Sequence, residues 1–274
     1  MEKTIPTEDK APSPLTIALM SRHGGSGKST LCYLLAHHWA REGKRVHVHD
    51  LCPSQNLYGV HRNYIEGRGA IAPVELAGAL SVFPTGADTY GLIPAPPDWP
   101  APPWREAADA DVILLDVGGR HRGLEACVYH HTDLILTPAI GYGGPTDITR
   151  AWLSRIDALA QEPPRYLGED DPYRAPRSLL VLDKHHKQKR HMEMERERHF
   201  LRAELGGTTV LKSCVPKLTA YRSFPTFDDL IFTSSARAKK ARGHIAALAD
   251  ELLRHAREHA ANSGASDDVR GDHE

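Results

Sequence analysis

Residues 21 to 30 read Ser-Arg-His-Gly-Gly-Ser-Gly-Lys-Ser-Thr, and these residue types in this order suit the binding of a phosphate chain. Glycines leave room for backbone N–H groups to converge on an anion, and the start of a following helix adds partial positive charge. In such a loop the lysine reaches the outer phosphates, and the hydroxyl that follows it ligates Mg²⁺. The predicted nucleotide-binding residues are His23, Gly24, Gly25, Ser26, Gly27, Lys28, Ser29 and Thr30.

The segments on both sides of this loop fit the strand and the helix that it requires. Residues 15 to 20 form an apolar run, which predicts a strand. After the loop, Leu31, Leu34, Leu35 and Trp39 recur on one face of a predicted helix. A chance Gly-Lys-Ser in a glycine-rich turn is the alternative, and these flanking elements argue against it.

Two carboxylates follow predicted strands elsewhere in the chain. Residues 45 to 50 alternate like a strand and end in Asp50. Residues 111 to 116 form a near-continuous apolar run that ends in Asp116, as expected for a strand buried on both faces of a parallel sheet. With a phosphate-binding loop upstream, Asp116 is predicted to hold Mg²⁺ together with Ser29. The alternative for Asp116 is a solvated aspartate at the end of a core strand.

The loop and the segment after the second predicted strand resemble those of the ParA/MinD family of P-loop ATPases. The common loop, G-x-x-x-x-G-K-[ST], would place a glycine where this chain has Arg22. The order Gly-Gly-x-Gly-Lys-Ser is similar instead to the deviant loop of that family. Residues 50 to 57, Asp-Leu-Cys-Pro-Ser-Gln-Asn-Leu, are similar to its Asp-Leu-Asp-Pro-Gln-Gly-Asn-Leu. The resemblance covers residues 14 to 258.

The resemblance implies a cytoplasmic ATPase that binds ATP and Mg²⁺ and then closes into a homodimer. The closed dimer of such proteins binds non-specific DNA on the nucleoid, and hydrolysis releases it. A centromere-binding partner in plasmid or chromosome partition is implied. A conjugative-transfer accessory ATPase of the VirC1 type, with a relaxosome partner, is the alternative, because Asp116-Val-Gly-Gly is similar to that group. By the same resemblance, Lys28 and Asp50 are the predicted catalytic residues.

Two positions depart from the family pattern. His23 stands where the family has the lysine that reaches the partner's nucleotide, and Cys52 replaces the second aspartate, which positions the attacking water. A thiol is mostly neutral at pH 7 and is a poor substitute for a carboxylate. A weak ATPase is therefore expected, with Asp50 as the remaining carboxylate. A nucleotide-gated scaffold with little or no hydrolysis is a second possibility.

Basic residues cluster near the end of a chain whose net charge is only −1. A basic surface binds the DNA backbone without reading its sequence. An alternating run of acidic and basic residues at 193 to 198 fits a solvated helix better. The predicted DNA-binding residues are Lys212, Lys217, Arg222, Arg237, Lys239, Lys240 and Arg242.

Strand-like runs alternate with helical patterns along the 274 residues, which predicts an α/β fold. We expect a single doubly wound, mostly parallel sheet flanked by helices, the P-loop NTPase fold. Residues 1–13 are predicted to be a flexible segment, 14–260 the ATPase domain and 261–274 a disordered tail. The last helix, which carries Ile245, Leu248 and Leu252, is predicted to pack on the core rather than on a membrane.

Several other function classes are disfavoured by the sequence. The four cysteines are scattered, which argues against a disulfide framework or a zinc knuckle. No apolar stretch is long enough to span a bilayer, so no membrane partner is expected. Residues 182 to 185, Leu-Asp-Lys-His, lack the arrangement that reads guanine, and nothing indicates the second substrate of a dethiobiotin-synthetase-like ligase.

Overall fold

The computed structural model describes residues 13–22, 24–68, 75–84, 104, 107, 109–118, 122–140, 146–162, 174–185, 191–204, 208–216 and 236–267. Its strands are β1 (Leu15–Leu19), β2 (Arg45–Asp50), β3 (Ala79–Pro84), β4 (Val112–Asp116), β5 (Leu134–Ile140), β6 (Arg177–His185) and β7 (Thr209–Pro216). Its helices are α1 (Lys28–Arg41), α2 (Asn56–Ile65), α3 (Arg122–His130), α4 (Thr146–Gln161), α5 (His191–Glu204) and α6 (Ala236–Asp267).

The seven strands form one sheet in the order β3-β2-β4-β1-β5-β6-β7. Every strand pair in it is parallel. Helices cover both faces, as the side chains of residues 17 to 20 demonstrate. Ile17 and Leu19 join the core under α1 and α6, whereas Ala18 and Met20 join the core under α3 and α4. The predicted doubly wound parallel sheet is confirmed, and so is the packing of the last helix on the core.

The first helix ends in a left-handed turn that the glycine at its C-terminus permits. Gly43 has a φ of 87°, and its N–H donates to the carbonyl of Ala40. The N–H of Lys44 donates to the carbonyl of Trp39, which completes a Schellman motif. The turn directs the chain into β2, so the end of α1 and the start of β2 are fixed relative to each other.

The edge strand β3 was not predicted from the sequence, because a six-residue edge strand that ends in proline carries a weak pattern. At the other edge of the sheet, β7 continues through Val215 and Pro216, which pair with Asp183 and His185 of β6.

The predicted domain limits lie close to the ends of the described chain. The final helix passes residue 260 and ends at Asp267, so it includes the first part of the predicted tail. Residues 1–12 and 268–274 lie outside the described residues, so the predictions for them are not tested.

Candidate functional site

The glycine-rich loop joins the carboxyl end of β1 to the first residue of α1, Lys28. Gly25 and Gly27 have φ values of 72° and 89°, a left-handed backbone that favours glycine. A Cβ added at Gly24 or Gly25 would meet nothing within 4 Å. The loop therefore turns tightly, and the space beside Gly24 and Gly25 is open. His23 lies outside the described residues, and Arg22 is exposed.

Lys28 is buried and its ammonium group lies over a pair of serine hydroxyls. Its Nζ donates to Ser21 Oγ at 3.3 Å and to Ser26 Oγ at 3.4 Å. The two hydroxyls lie 2.8 Å apart, and both residues are buried. Ser21 was missed by the sequence reasoning, which assigned the site from residue 23 onward. These hydroxyls hold the ammonium group of Lys28 at the loop.

The two predicted carboxylates meet because their strands are neighbours in register. Asp50 pairs with Asp116 across β2 and β4, and Leu19 at the end of β1 pairs with Asp116 on the other side. The loop and both carboxylates therefore share one edge of the sheet, as predicted for the carboxyl ends of parallel strands. The oxygens of Asp50 accept hydrogen bonds from the N–H groups of Cys52 at 3.1 Å and Tyr58 at 3.0 Å.

Asp116 is fully buried, and neither of its carboxylate oxygens has a hydrogen-bond partner among the described residues. Burial is the main cause that raises the pKa of Asp116 to about 6, and the charge of Asp50 acts in the same direction, whereas the nearby Ser29 hydroxyl, the charge of Lys28 and the Cys52 thiol act against it. A buried carboxylate without a donor is costly unless a cation compensates it. Asp116 and Ser29 thus fit Mg²⁺, which prefers oxygen ligands.

Cys52 lies between these carboxylates and the loop that follows β4. Its thiol donates to the carbonyl oxygen of Asp116 at 3.6 Å. Burial, followed by the charges of Asp116 and Asp50, raises the pKa of the Cys52 thiol, so it carries a proton at pH 7. One ligand atom from each of Asp50, Cys52 and Asp116 lies within 4.8 Å of the other two. A Cβ at Gly118 would come within 3.2 Å of Pro53 and 3.4 Å of the sulfur.

The predicted DNA-binding residues do not form one continuous patch in the described part of the chain. Lys239 and Lys240 are exposed near the start of α6, and Lys212 is exposed on β7. Because the backbone N–H of Lys212 donates to Glu251, Lys212 lies beside α6 about 16 Å along the helix from Lys240. Lys217 and Arg222 lie outside the described residues, as does the side chain of Arg237.

Part of the basic set lines a groove between α1 and α6 with a volume of about 360 Å³. Arg41 and Arg242 both line this groove, and burial, followed by the positive charge of Arg41, lowers the pKa of Arg242. Arg41 was missed from the sequence, because it lies at the end of α1, far from residues 212 to 242 along the chain. The groove residues are Leu34, His37, His38, Arg41, Glu42, Lys239, Arg242, Gly243, Ile245 and Ala246.

The chain has the fold of ParA- and MinD-type proteins. A structure of pNOB8 ParA bound to nonspecific DNA matches with a TM-score of 0.56 and 15% identity, over 89% of this chain and 99% of that one. The ATP complex of a Cyanothece McdA variant matches with a TM-score of 0.60 and 14% identity, over 88% and 96%. MinD from Aquifex aeolicus matches with a TM-score of 0.55 and 12% identity, over 86% and 98%.

At these identities the likeness establishes the fold only. No family model and no curated protein matches the sequence. None of the helices in the described residues has the length and apolar character needed to cross a bilayer.

Proposed function

We propose that this chain is a ParA-like ATPase of the partition type, whose ATP-bound form dimerises and binds DNA. The observation that carries the proposal is the juxtaposition of an open glycine loop, a buried lysine and a buried aspartate without a donor. Triphosphate and a divalent cation are the ligands that complement those groups. The DNA-bound ParA and the ATP-bound McdA share this fold, which supports the proposal.

The loop residues bind and orient the triphosphate in this proposal. Residues 24 to 27 contribute backbone N–H groups, while Ser29 and Thr30 follow on the first turn of α1. Lys28 would leave Ser21 and Ser26 to contact the outer phosphates. Asp116 and Ser29 would hold Mg²⁺, which when bound neutralises charge on the phosphates. The predicted contribution of His23 remains part of this proposal.

Hydrolysis is proposed to be slow, because the residue beside the attack position carries no charge. Asp50 is the remaining carboxylate, but both of its oxygens already accept backbone N–H groups. Cys52 is protonated and cannot accept a proton from water as a carboxylate does. A nucleotide-gated scaffold with background turnover is the second candidate function, and the neutral thiol of Cys52 is the observation that favours it.

DNA binding is proposed to involve the groove between α1 and α6. Arg41, Lys239 and Arg242 line it, with Glu42 as its carboxylate. Two neighbouring guanidinium groups repel each other, and a phosphate placed between them relieves that repulsion. α1 begins at the phosphate-binding loop and ends with Arg41 in the groove, so one rigid helix connects the nucleotide site and the groove.

The closed homodimer and a centromere-binding partner also belong to this proposal, with a relaxosome partner as the alternative. They are supported by the family resemblance of the loop and by the fold. The identity of neighbouring genes would separate the two partners: a DNA-binding partition gene favours the first, and relaxase genes favour the second.

The direct test compares wild type with Lys28→Ala for ATP-dependent dimerisation and DNA binding. Wild type should dimerise and bind DNA with ATP and Mg²⁺, whereas Lys28→Ala should do neither. Arg257→Ala is the control, because it removes an exposed cation from α6 and not from the loop. Equal DNA binding by wild type and Lys28→Ala in the presence of ATP would exclude a nucleotide-controlled switch.

A further inference from the structure

We propose that Asp50, Cys52 and Asp116 form a site for a thiophilic divalent cation, of which Zn²⁺ is the representative. The three residues lie on the carboxyl ends of two neighbouring strands and the turn after β2. One ligand atom from each lies within 4.8 Å of the others. Two carboxylate oxygens and one sulfur are a donor set that zinc accepts, with a fourth position left for water or a phosphate oxygen.

The burial of the Asp116 carboxylate without a hydrogen-bond partner in the described part of the chain is the observation that points to a cation. Its side chain is completely buried, and neither oxygen has a hydrogen-bond donor among the described residues. Asp50 is also fully buried, so two carboxylates are enclosed within a few ångströms of each other. Such a pair is unfavourable unless positive charge is placed between them.

The sulfur of Cys52 determines which cation the site prefers. Mg²⁺ selects oxygen and dehydrates reluctantly, whereas zinc binds thiolate readily. Binding would replace the S–H bond of Cys52 by a sulfur–metal bond and release one proton to solvent, with no redox change. The hydrogen bond from this thiol to the carbonyl of Asp116 already directs the sulfur toward β4.

The proposed consequence is competition between two metals at one edge of the sheet. A cation held by the sulfur would occupy the space that Asp116 and Ser29 offer to Mg²⁺. Zinc would then hold the protein in a state that binds nucleotide differently from the magnesium form. This consequence rests on the proposed function, but the metal site itself does not, because it can be measured on the nucleotide-free protein.

The test uses the nucleotide-free full-length chain and Co²⁺ as a spectroscopic substitute for Zn²⁺. Wild type should bind one equivalent and develop the near-ultraviolet band of thiolate-to-cobalt charge transfer, which Zn²⁺ then abolishes by displacement. Cys52→Ser should lose the band and bind Zn²⁺ more weakly by at least about tenfold, the loss that even an outer-shell change produces. Cys214→Ser is the matched control, because Cys214 is a partly exposed thiol on β7, and it should behave as wild type.

A second variant, Asp116→Asn, should weaken Zn²⁺ binding while leaving a folded protein, which circular dichroism checks. Absence of the band in wild type, or its persistence in Cys52→Ser, would overturn the inference. Magnesium-dependent ATP binding by a chain that fails to bind Zn²⁺ would leave the proposed function standing and remove only the zinc site. Zinc binding by a chain that does not bind ATP would support the zinc site and contradict the proposed function.

Discussion

The buried carboxylate of Asp116 lacks hydrogen-bond partners in the described part of the free protein and is suited to bind a cation. Its carboxylate has no donor among the described residues, and its neighbour Asp50 repels it. Lys28 is the nearby cation, but it is held by Ser21 and Ser26. The site is therefore arranged for a ligand that brings positive charge, and its free form is under electrostatic strain.

The pH dependence of stability should report this strain. The pKa of Asp116 is raised from 3.8 to about 6 in the folded protein, so the folded state binds a proton more tightly than the unfolded state. Protonation of Asp116 therefore contributes to the stability of the folded state below the unfolded pKa, and this contribution is lost as the pH rises through the folded pKa. Asp116→Asn should stabilise the metal-free protein by about 1–3 kcal/mol at pH 7 and by little near pH 4.

Urea unfolding of wild type and Asp116→Asn at both pH values checks this expectation. Asp157→Asn is the control, because Asp157 is exposed on α4 and should change little at either pH. An Asp116→Asn variant that is less stable than wild type at pH 7 would contradict the electrostatic interpretation.

Cys52 should limit ATP turnover. Cys52→Asp would restore a charged acceptor close to Asp50, and a positioned general base is worth roughly 10²–10⁴-fold. Because Asp50 and Asp116 oppose a further negative charge, we expect a gain of at least about tenfold rather than the full range. Phosphate release with Mg²⁺ and ATP measures it, with Cys52→Ser as the uncharged control. No gain in Cys52→Asp would remove Cys52 as the cause of slow hydrolysis.

At the scale of elements, close backbone contacts fix how the strands and helices meet. The N–H of Gly78 donates to the carbonyl of Ala40 at 2.8 Å, just before β3 begins. A Cβ at Gly78 would lie 2.2 Å from the carbonyl oxygen of Lys44 and 2.6 Å from Gly43. The edge strand can therefore approach the end of α1 only with glycine at this position.

Replacement of Gly78 by alanine should destabilise the protein. The added methyl meets backbone atoms, which cannot move aside as a flexible side chain would, so Gly78→Ala should cost about 1–3 kcal/mol. Gly59→Ala is the matched control: Gly59 lies inside α2, an added Cβ there meets nothing within 4 Å, and alanine favours helix by up to about 1 kcal/mol. The two variants should therefore change the urea midpoint in opposite directions, and equal midpoints would contradict the assigned contact.

At the scale of the whole molecule, local sequence patterns predicted the nucleotide site, whereas the basic groove between α1 and α6 forms only in the tertiary fold. The glycine loop, Asp50 and Asp116 could be predicted from the sequence because each lies at the end of a predicted strand, and parallel strands end at a common edge. Arg41 could not be assigned to the basic groove, because its partners Lys239 and Arg242 come from a helix about 200 residues later. The packing of α6 on α1 is what joins them.

The groove gives a final prediction about binding to DNA. Arg41→Gln with Arg242→Gln should weaken ATP-dependent DNA binding and make it less dependent on salt. Each lost phosphate contact reduces the magnitude of the negative slope of log K against log salt by about 0.9. The double variant Arg196→Gln with Arg257→Gln removes the same charge from exposed positions on α5 and α6 and is the control. Fluorescence anisotropy over a salt series measures both. If the two double variants lose the same slope, general charge rather than the groove determines binding; a loss confined to the first locates phosphate between α1 and α6, beside the helix that begins at the nucleotide loop.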